Sequence, residues 1–219
     1  MVPYKIMTDM LSDNLNKSQY FNPFFSWVVV VYTYYSIGIN GGSIWKYLYY
    51  NATVGFIAIC ISMTYSMAEG LNYKYETFIK LIWIEELLWN INEWGYVFIN
   101  FIKIRTCIKS LKKRYWMGII YTLFFYTLIV RSYLCHLDHD YKLNKYLKGG
   151  KLSDEEEKTY SKSSNICNSF LYFPLGVVCV IFIYFIFVEF IKEDDKNTKN
   201  VLSILLHSTL SRMLLGIYY

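Results

Sequence analysis

The stretch ICNSFLYFPLGVVCVIFIYFIFVEFI, residues 166–191, decides the class of fold, because it contains no charged residue before Glu189. An α-helix needs about 20 apolar residues to cross the ~30 Å hydrocarbon layer, whereas elements of soluble proteins rarely run so far without a charge. A helix also satisfies its own backbone hydrogen-bonding groups, as lipid requires. The sequence therefore predicts an all-α, polytopic membrane helix bundle with about six transmembrane helices. The predicted spans are about 24–39, 47–71, 78–104, 115–136, 166–191 and 201–219.

The composition of the 219 residues agrees with this class. Hydrophobic residues make up 55% and charged residues 18%, below the quarter usual in soluble domains. The long apolar blocks exclude intrinsic disorder, and only 3 prolines and 11 glycines favour long helices over a β-barrel. We predict a polar N-terminal tail over residues 1–22, without the pattern of a cleavable signal peptide. Residues 23–219 then form a single transmembrane domain with a long polar loop over 137–165.

The connection after the third span carries six basic residues within 12 positions and no acidic one. Because cytoplasmic connections carry the excess of Lys and Arg, we place it in the cytosol, and the N-terminus and the 137–165 loop outside. Such a cluster suits an anionic membrane leaflet better than a nucleic acid. It is also a candidate surface for a cytoplasmic partner, and its residues are Lys103, Arg105, Lys109, Lys112, Lys113 and Arg114.

Two local features fit this orientation. Asn16-Lys17-Ser18 is a glycosylation sequon in the predicted outer tail, whereas the sequon at Asn51 falls inside the second span. Cys135 and Cys167 flank the 137–165 loop, where they form either a disulfide or two small apolar fillers. Within the loop, residues 153–156 have the spacing of a capping box that opens a short surface helix.

The third span is the most polar, and its residues separate into two faces at 100° per residue. The apolar face consists of Ile84, Leu87, Leu88, Ile91, Trp94, Gly95, Phe98, Ile99 and Ile102. The polar face consists of Glu85, Glu86, Asn90, Asn92, Glu93, Tyr96, Asn100 and Lys103. Ionisable groups in a membrane usually face the bundle interior or a water-filled cavity, so we predict that the polar face is turned inward. An amphipathic helix lying on the membrane, or polar groups that only join helices, would give the same pattern.

Depth in the membrane suggests partners for these charges. Arg131 and Glu86 lie about five and eight residues from the same end of their spans, so their depths differ by only about 5 Å. Glu93 and Arg212 both lie near the middle of theirs. Because a lone buried charge is costly and a pair much less so, we predict pairs of Glu86 with Arg131 and of Glu93 with Arg212. The candidate intramembrane polar site comprises Glu86, Asn90, Glu93, Asn100, Arg131 and Arg212.

Signatures of soluble-enzyme chemistry are absent from the sequence. Two histidines and two aspartates cluster over 136–140, but the HExxH pattern is missing, so a structural role is favoured over a metal site. The chain has no G-x-S-x-G nucleophile motif and no glycine-rich phosphate loop. We therefore predict neither a metal nor a cofactor.

The layout resembles that of the heptahelical, G-protein-coupled-receptor-like membrane proteins. The shared features are an outer tail, a basic connection after the third span, a long outer loop before the fifth span and Pro174 within it. The third span lacks an opening Cys, residues 100–105 (NFIKIR) replace the Asp-Arg-Tyr pattern, and no seventh helix follows Tyr219. The resemblance implies a truncated or divergent receptor-like or signalling helical bundle.

Two alternatives remain open. The first is a transporter or channel with a polar path along the third span. The second is a membrane-embedded lipid-modifying enzyme in which Glu86 or Glu93 acts as acid or base. The receptor and transporter interpretations both require a small ligand or solute, whose identity the sequence does not define.

Overall fold

The computed structural model describes residues 18–193, 198–204 and 206–207, and throughout these residues the regular structure is helical, without a strand. The predicted all-α fold class is confirmed. Residues 198–204 and 206–207 are helical, and the rest of the predicted sixth span lies outside the described residues. The long helices are α1 (Ser18–Thr33, continued by a π-helix over Tyr34–Gly38), α2 (Ser43–Gly70), α3 (Ile82–Cys107), α4 (Arg114–Leu147) and α5 (Asp154–Lys192).

Short connections make consecutive helices antiparallel neighbours. Trp27 of α1 stacks on Phe56 of α2, and Trp94 of α3 donates a hydrogen bond to the backbone oxygen of Ile120 in α4. The α2–α3 connection contains a helical turn (Tyr75–Phe78) and a 3-10 turn (Ile79–Leu81). The α3–α4 connection contains a 3-10 turn over Lys109–Lys112.

The 137–165 segment is helical over most of its length, so the prediction of a long polar loop is wrong. α4 continues to Leu147 and α5 already begins at Asp154. The 34 and 39 residues of these helices measure about 51 and 58 Å at 1.5 Å per residue, well beyond the ~30 Å hydrocarbon layer. We call residues 137–165 the α4–α5 hairpin.

Side-chain contacts hold the two limbs of the α4–α5 hairpin together. The rings of Tyr141 and Tyr160 stack with centroids 3.8 Å apart, and the Tyr160 hydroxyl donates a 2.6 Å hydrogen bond to Asp138. The predicted capping box between Ser153 and Glu156 is present, but it opens α5 itself rather than a short surface helix. Polar residues that resemble a solvated loop in the sequence therefore lie at helical positions and pair across the hairpin.

Among the described residues, three helices, α2, α4 and α5, are long and apolar enough to cross a membrane. α3 is long enough at 26 residues, but it carries charges at Glu85, Glu86, Glu93, Lys103 and Arg105. α1 has 16 residues before its π-helical continuation. Length and composition thus support three of the six predicted spans.

The largest apolar core lies where α3 ends and α4 begins, and we call this half of the bundle the basic end. Phe101 of α3 stacks on Phe182 of α5 with ring centroids 5.9 Å apart, and both side chains are fully buried. Ile104, Leu111 and Ile120 are buried in the same cluster. The opposite half, where α2 ends and the α4–α5 hairpin begins, holds the carboxylates of α3 described next, and we call it the hairpin end.

Candidate functional site

An arginine held between two carboxylates joins α3 and α4. Arg131 is only 7% exposed, and its two terminal nitrogens lie 2.7 Å from an oxygen of Glu86 and 2.5 Å from an oxygen of Glu93. Glu86 and Glu93 are seven residues apart on α3, so both face the same strip of α4. The Tyr172 hydroxyl of α5 donates a 3.2 Å hydrogen bond to the second oxygen of Glu93. We call these four residues the Arg131 cluster.

The predicted pair of Glu86 with Arg131 is confirmed. Glu93 also contacts Arg131, a partner that the depth argument did not assign to it. Arg212 lies outside the described residues, so its pairing with Glu93 stays a prediction. With both carboxylates ionised, the Arg131 cluster carries one net negative charge.

Asn90 lies between Glu86 and Glu93 on the same side of α3 and is 2% exposed. Its amide nitrogen and the Nε of Arg131 are buried donors without a hydrogen-bond partner among the described residues. A buried donor without an acceptor is costly, and an ordered water commonly satisfies such groups. Asn100, the last member of the predicted polar line, is half-buried two turns beyond Glu93.

A second set of polar contacts lies on the α2 side of α3. Glu85 is 6% exposed and accepts hydrogen bonds from the Tyr65 hydroxyl at 2.7 Å and from the Trp89 indole nitrogen at 3.2 Å. The Lys142 ammonium donates to the Tyr65 hydroxyl at 3.3 Å. Glu85 belongs to the predicted polar face of α3 but not to the predicted intramembrane site.

The contacts of α3 correct the two-face prediction. Gly95 and Ile99, assigned to the apolar face, are buried, whereas Ile84 and Leu87 from the same face are 49% and 45% exposed. Polar residues instead face both neighbouring helices, since Glu86 meets α4 and Glu85 meets α2. A helical-wheel projection of the sequence shows which residues share a side of α3, but it does not show how many helices surround α3.

Two asparagines clasp α2 to α3. The Asn51 side-chain nitrogen donates to the backbone oxygen of Asn92 at 2.9 Å, and Asn92 donates in return to the backbone oxygen of Asn51 at 2.7 Å. Each amide lies against a glycine of the other helix, Asn51 against Gly95 and Asn92 against Gly55. The sequon at Asn51 is therefore buried within the bundle, as its position in the second span predicts.

A cavity of about 510 Å³ lies between α2, α3 and α4 at the hairpin end. Its walls contain both signs of charge, Glu69 and Glu85 from α2 and α3 against Lys142 and Lys145 from α4. It is lined by Ile59, Ser62, Tyr65, Ser66, Glu69, Glu85, Trp89, Tyr141, Lys142 and Lys145. The sequence offered no signal for this cavity, because its residues come from three helices. Those from α4 lie in a segment that was predicted to be a loop.

Cys135 and Cys167 are unpaired thiols, which corrects the disulfide alternative. Cys135 is buried beside Trp83, Glu86 and Arg131, at the wall of α4 that faces α3. The two cysteines lie on different helices, and Cys135 faces α3 rather than α5. His136 and His139 both contact Asp140, at 3.1 and 3.2 Å, and no cluster of three metal-ligating residues occurs among the described residues.

The basic connection is compact rather than loose. Ile108 and Leu111 are fully buried, and Arg105 donates to the backbone oxygen of Lys112 at 3.2 Å. Lys103 and Arg105 are half-buried, while Lys109, Lys112, Lys113 and Arg114 are exposed. The predicted glycosylation site at Asn16 lies outside the described residues.

Comparison with known proteins adds no relative to this description. No family model matches the chain, and neither a curated protein nor a solved structure shows a significant match to it.

Proposed function

We propose that the chain is a multi-pass integral membrane protein that works as a receptor-like helical bundle, with its ligand held in the cavity at the hairpin end. Membrane insertion is supported by the three long apolar helices and by the way the charges of α3 are covered. Glu85, Glu86 and Glu93 each have a hydrogen-bond or ionic partner on a neighbouring helix. Polar groups satisfied in this way are characteristic of helices inside membrane bundles.

The observation that carries the proposal is that the cavity lies toward one end of the bundle and the largest apolar core toward the other. The cavity and the carboxylates of α3 lie toward the hairpin end. Toward the basic end, the interior is filled by Val97, Phe101, Ile104 and Phe182. A site that opens at one end and is closed by packed side chains at the other suits ligand binding better than conduction.

The basic end supplies a surface for the second half of a signalling function. Lys109, Lys112, Lys113 and Arg114 are exposed around a connection anchored by buried Ile108 and Leu111. We place this end in the cytosol and the hairpin outside, since cytoplasmic connections carry the excess of basic residues. An acidic surface of a cytoplasmic protein fits this cluster by charge.

A transporter remains the second candidate because carboxylates of α3 contact the helices on both of its sides. Its polar path would have to pass the apolar core at Phe101 and Phe182, which are in ring contact. Transport would therefore require a second conformation in which these rings separate.

Cysteine accessibility in cells tests the proposal, in a chain whose five native cysteines are replaced by alanine. Lys158→Cys, at the hairpin, should react with a membrane-impermeant maleimide in intact cells, and Lys112→Cys only after permeabilisation. Ser62→Cys in the cavity should react from the hairpin side, while Ile104→Cys in the apolar core should react from neither.

The alternative outcomes separate the candidates. Labelling of Lys158→Cys and Lys112→Cys from the same side would refute the proposed orientation and span number. Labelling of Ile104→Cys, together with solute flux in proteoliposomes, would replace the receptor proposal by transport.

A further inference from the structure

Acidic and basic side chains line opposite walls of the cavity. Glu69 and Glu85 come from α2 and α3, and Lys142 and Lys145 come from the facing part of α4. One side of the space is therefore acidic and the other basic. A ligand that carries only one charge would match one wall and be repelled by the other.

The two charges at the mouth of the cavity do not neutralise each other. Glu69 and Lys145 line the same space, and also a neighbouring hollow of about 420 Å³. Within the described residues neither side chain takes part in an ion pair, although both lie at this shared opening. Both charged groups therefore line one opening without an ion pair between them, and the Lys145 ammonium lies 5.7 Å from the centroid of the Tyr141 ring.

The second pair of charges, Glu85 and Lys142, is connected by hydrogen bonds within the cavity wall. Lys142 donates to the Tyr65 hydroxyl, which in turn donates to Glu85 at 2.7 Å, so a hydrogen-bonded chain runs from one wall to the other. Trp89 fixes the second oxygen of Glu85. This hydrogen-bonded series forms a polar part of the cavity wall, and Tyr65 and Trp89 add aromatic surface for an aliphatic or ammonium group.

We propose that this cavity binds a small zwitterion, with its ammonium group toward Glu69 and its anionic group toward Lys145. The proposal rests on the ligand-binding function proposed above and names its chemical class. A volume of about 510 Å³ lies in the range of small-molecule sites, roughly 300–1,000 Å³. Two sources supply such a molecule: a free amino acid, and the headgroup of a zwitterionic phospholipid at the membrane surface.

Thermal-shift and calorimetric titration of the full chain in detergent tests the proposal with matched probes. Phosphoethanolamine and L-serine are the zwitterions, while ethanolamine, inorganic phosphate and an equimolar mixture of the two carry the same charges on separate molecules. We expect a zwitterion to raise the melting temperature at concentrations where the single-charge probes and the mixture have no effect.

Variants locate the binding. Glu69→Gln and Lys145→Gln should each weaken zwitterion binding about tenfold or more, since each removes one charge-assisted contact. Glu157→Gln and Lys158→Gln change the same charges on exposed parts of the α4–α5 hairpin outside the cavity, and should leave binding unchanged. Because Glu69 is exposed and Lys145 is half-buried, folding can be checked independently by the melting temperature without ligand.

The arms distinguish the two sources. Binding of L-serine would identify a free amino acid as the ligand. Binding of phosphoethanolamine but not of L-serine would identify a lipid headgroup. In that case Ser62→Cys should also be protected from labelling in vesicles of phosphatidylethanolamine, but not in vesicles of phosphatidylglycerol. Equal binding of ethanolamine or phosphate alone, binding unaffected by Glu69→Gln and Lys145→Gln, or no binding of any probe would overturn the proposal. The one-ended cysteine labelling of the proposed function would stand in each of these cases.

Discussion

The Asn51–Asn92 clasp predicts that Gly95 tolerates no side chain. A Cβ added at Gly95 would lie 2.7 Å from Cγ of Asn51 and closer still to its Oδ1, in a part of α2 that is buried. Asn51 would have to move and would lose its 2.9 Å hydrogen bond to the backbone oxygen of Asn92. We therefore expect Gly95→Ala to weaken the contact between α2 and α3.

The size of the effect follows from two contributions. Overpacking a filled interior costs about 1–3 kcal/mol, and an interhelical hydrogen bond in a membrane protein contributes about 0.6 kcal/mol on average. The higher helix propensity of alanine offsets up to about 1 kcal/mol of this sum, so the expected loss for Gly95→Ala is roughly 1–3 kcal/mol. Gly118→Ala and Gly176→Ala are matched controls, because a Cβ at either position meets no atom within 4 Å. Alanine there should be neutral or stabilise by up to about 1 kcal/mol through its higher helix propensity.

The assay is unfolding of the purified full chain in detergent micelles, followed by circular dichroism. Asn51→Ala provides the decisive background, because removing the amide leaves room for the new methyl group. Gly95→Ala should cost much less in that background than in the wild type, giving a coupling energy of about 1 kcal/mol or more. Equal destabilisation by Gly95→Ala and Gly118→Ala, or strict additivity with Asn51→Ala, would refute the clasp.

Three further predictions concern charges and topology. Arg131→Gln should destabilise the chain by about 3 kcal/mol, the low end for a buried ion pair, because it removes the cation from the partly buried carboxylates of Glu86 and Glu93. In thermal unfolding, the triple variant that also carries Glu86→Gln and Glu93→Gln should lose less, and a larger loss would contradict the Arg131 cluster. Lys148 and the cap at Ser153 lower the pKa of Glu156. Their support of the hairpin tip should be present above the ordinary Glu pKa and lost as the pH falls through the lowered value. Hydrogen exchange across residues 148–160 should show this loss, and Glu156→Gln should abolish it. Asn16 should carry a glycan that Asn16→Gln removes in a eukaryotic host, whereas an unmodified, protease-protected tail would reverse the orientation.

The all-helical fold class and the Glu86–Arg131 ion pair could be predicted from the sequence, because each depends only on distance along a helix. Apolar block length defines the helices, as the 166–191 stretch shows. Depth along alternating helices brought Glu86 to the level of Arg131, and the structure joins them at 2.7 Å. Both predictions use the helical rise alone and need no knowledge of which helices are neighbours.

The predictions that were wrong depended on which helices lie next to each other, and the sequence does not give this. The 137–165 segment has the composition of a loop, yet it consists of two helical limbs. Contacts between the limbs hold them together, since Tyr141 stacks on Tyr160 and Lys148 bonds to Glu156 at 2.7 Å. Tyr65 and Tyr172 belong to the two polar sites, but tyrosine occurs 23 times in the chain and neither carries a distinguishing neighbour in the sequence. Tertiary contact, rather than local pattern, selects these residues.

Adjacent residues of α3 therefore have different roles. Glu86 points to α4 and helps fix Arg131, whereas Glu85 points to α2 and forms part of the cavity wall. Helices in lipid gain little from apolar contact with one another, so polar contacts and close packing of small residues carry their association. α3 supplies both kinds, through the Arg131 cluster on one side and the asparagine–glycine clasp on the other. The same helix that holds the bundle together thus forms one wall of the cavity, and all three of its carboxylates lie in the half toward the hairpin end.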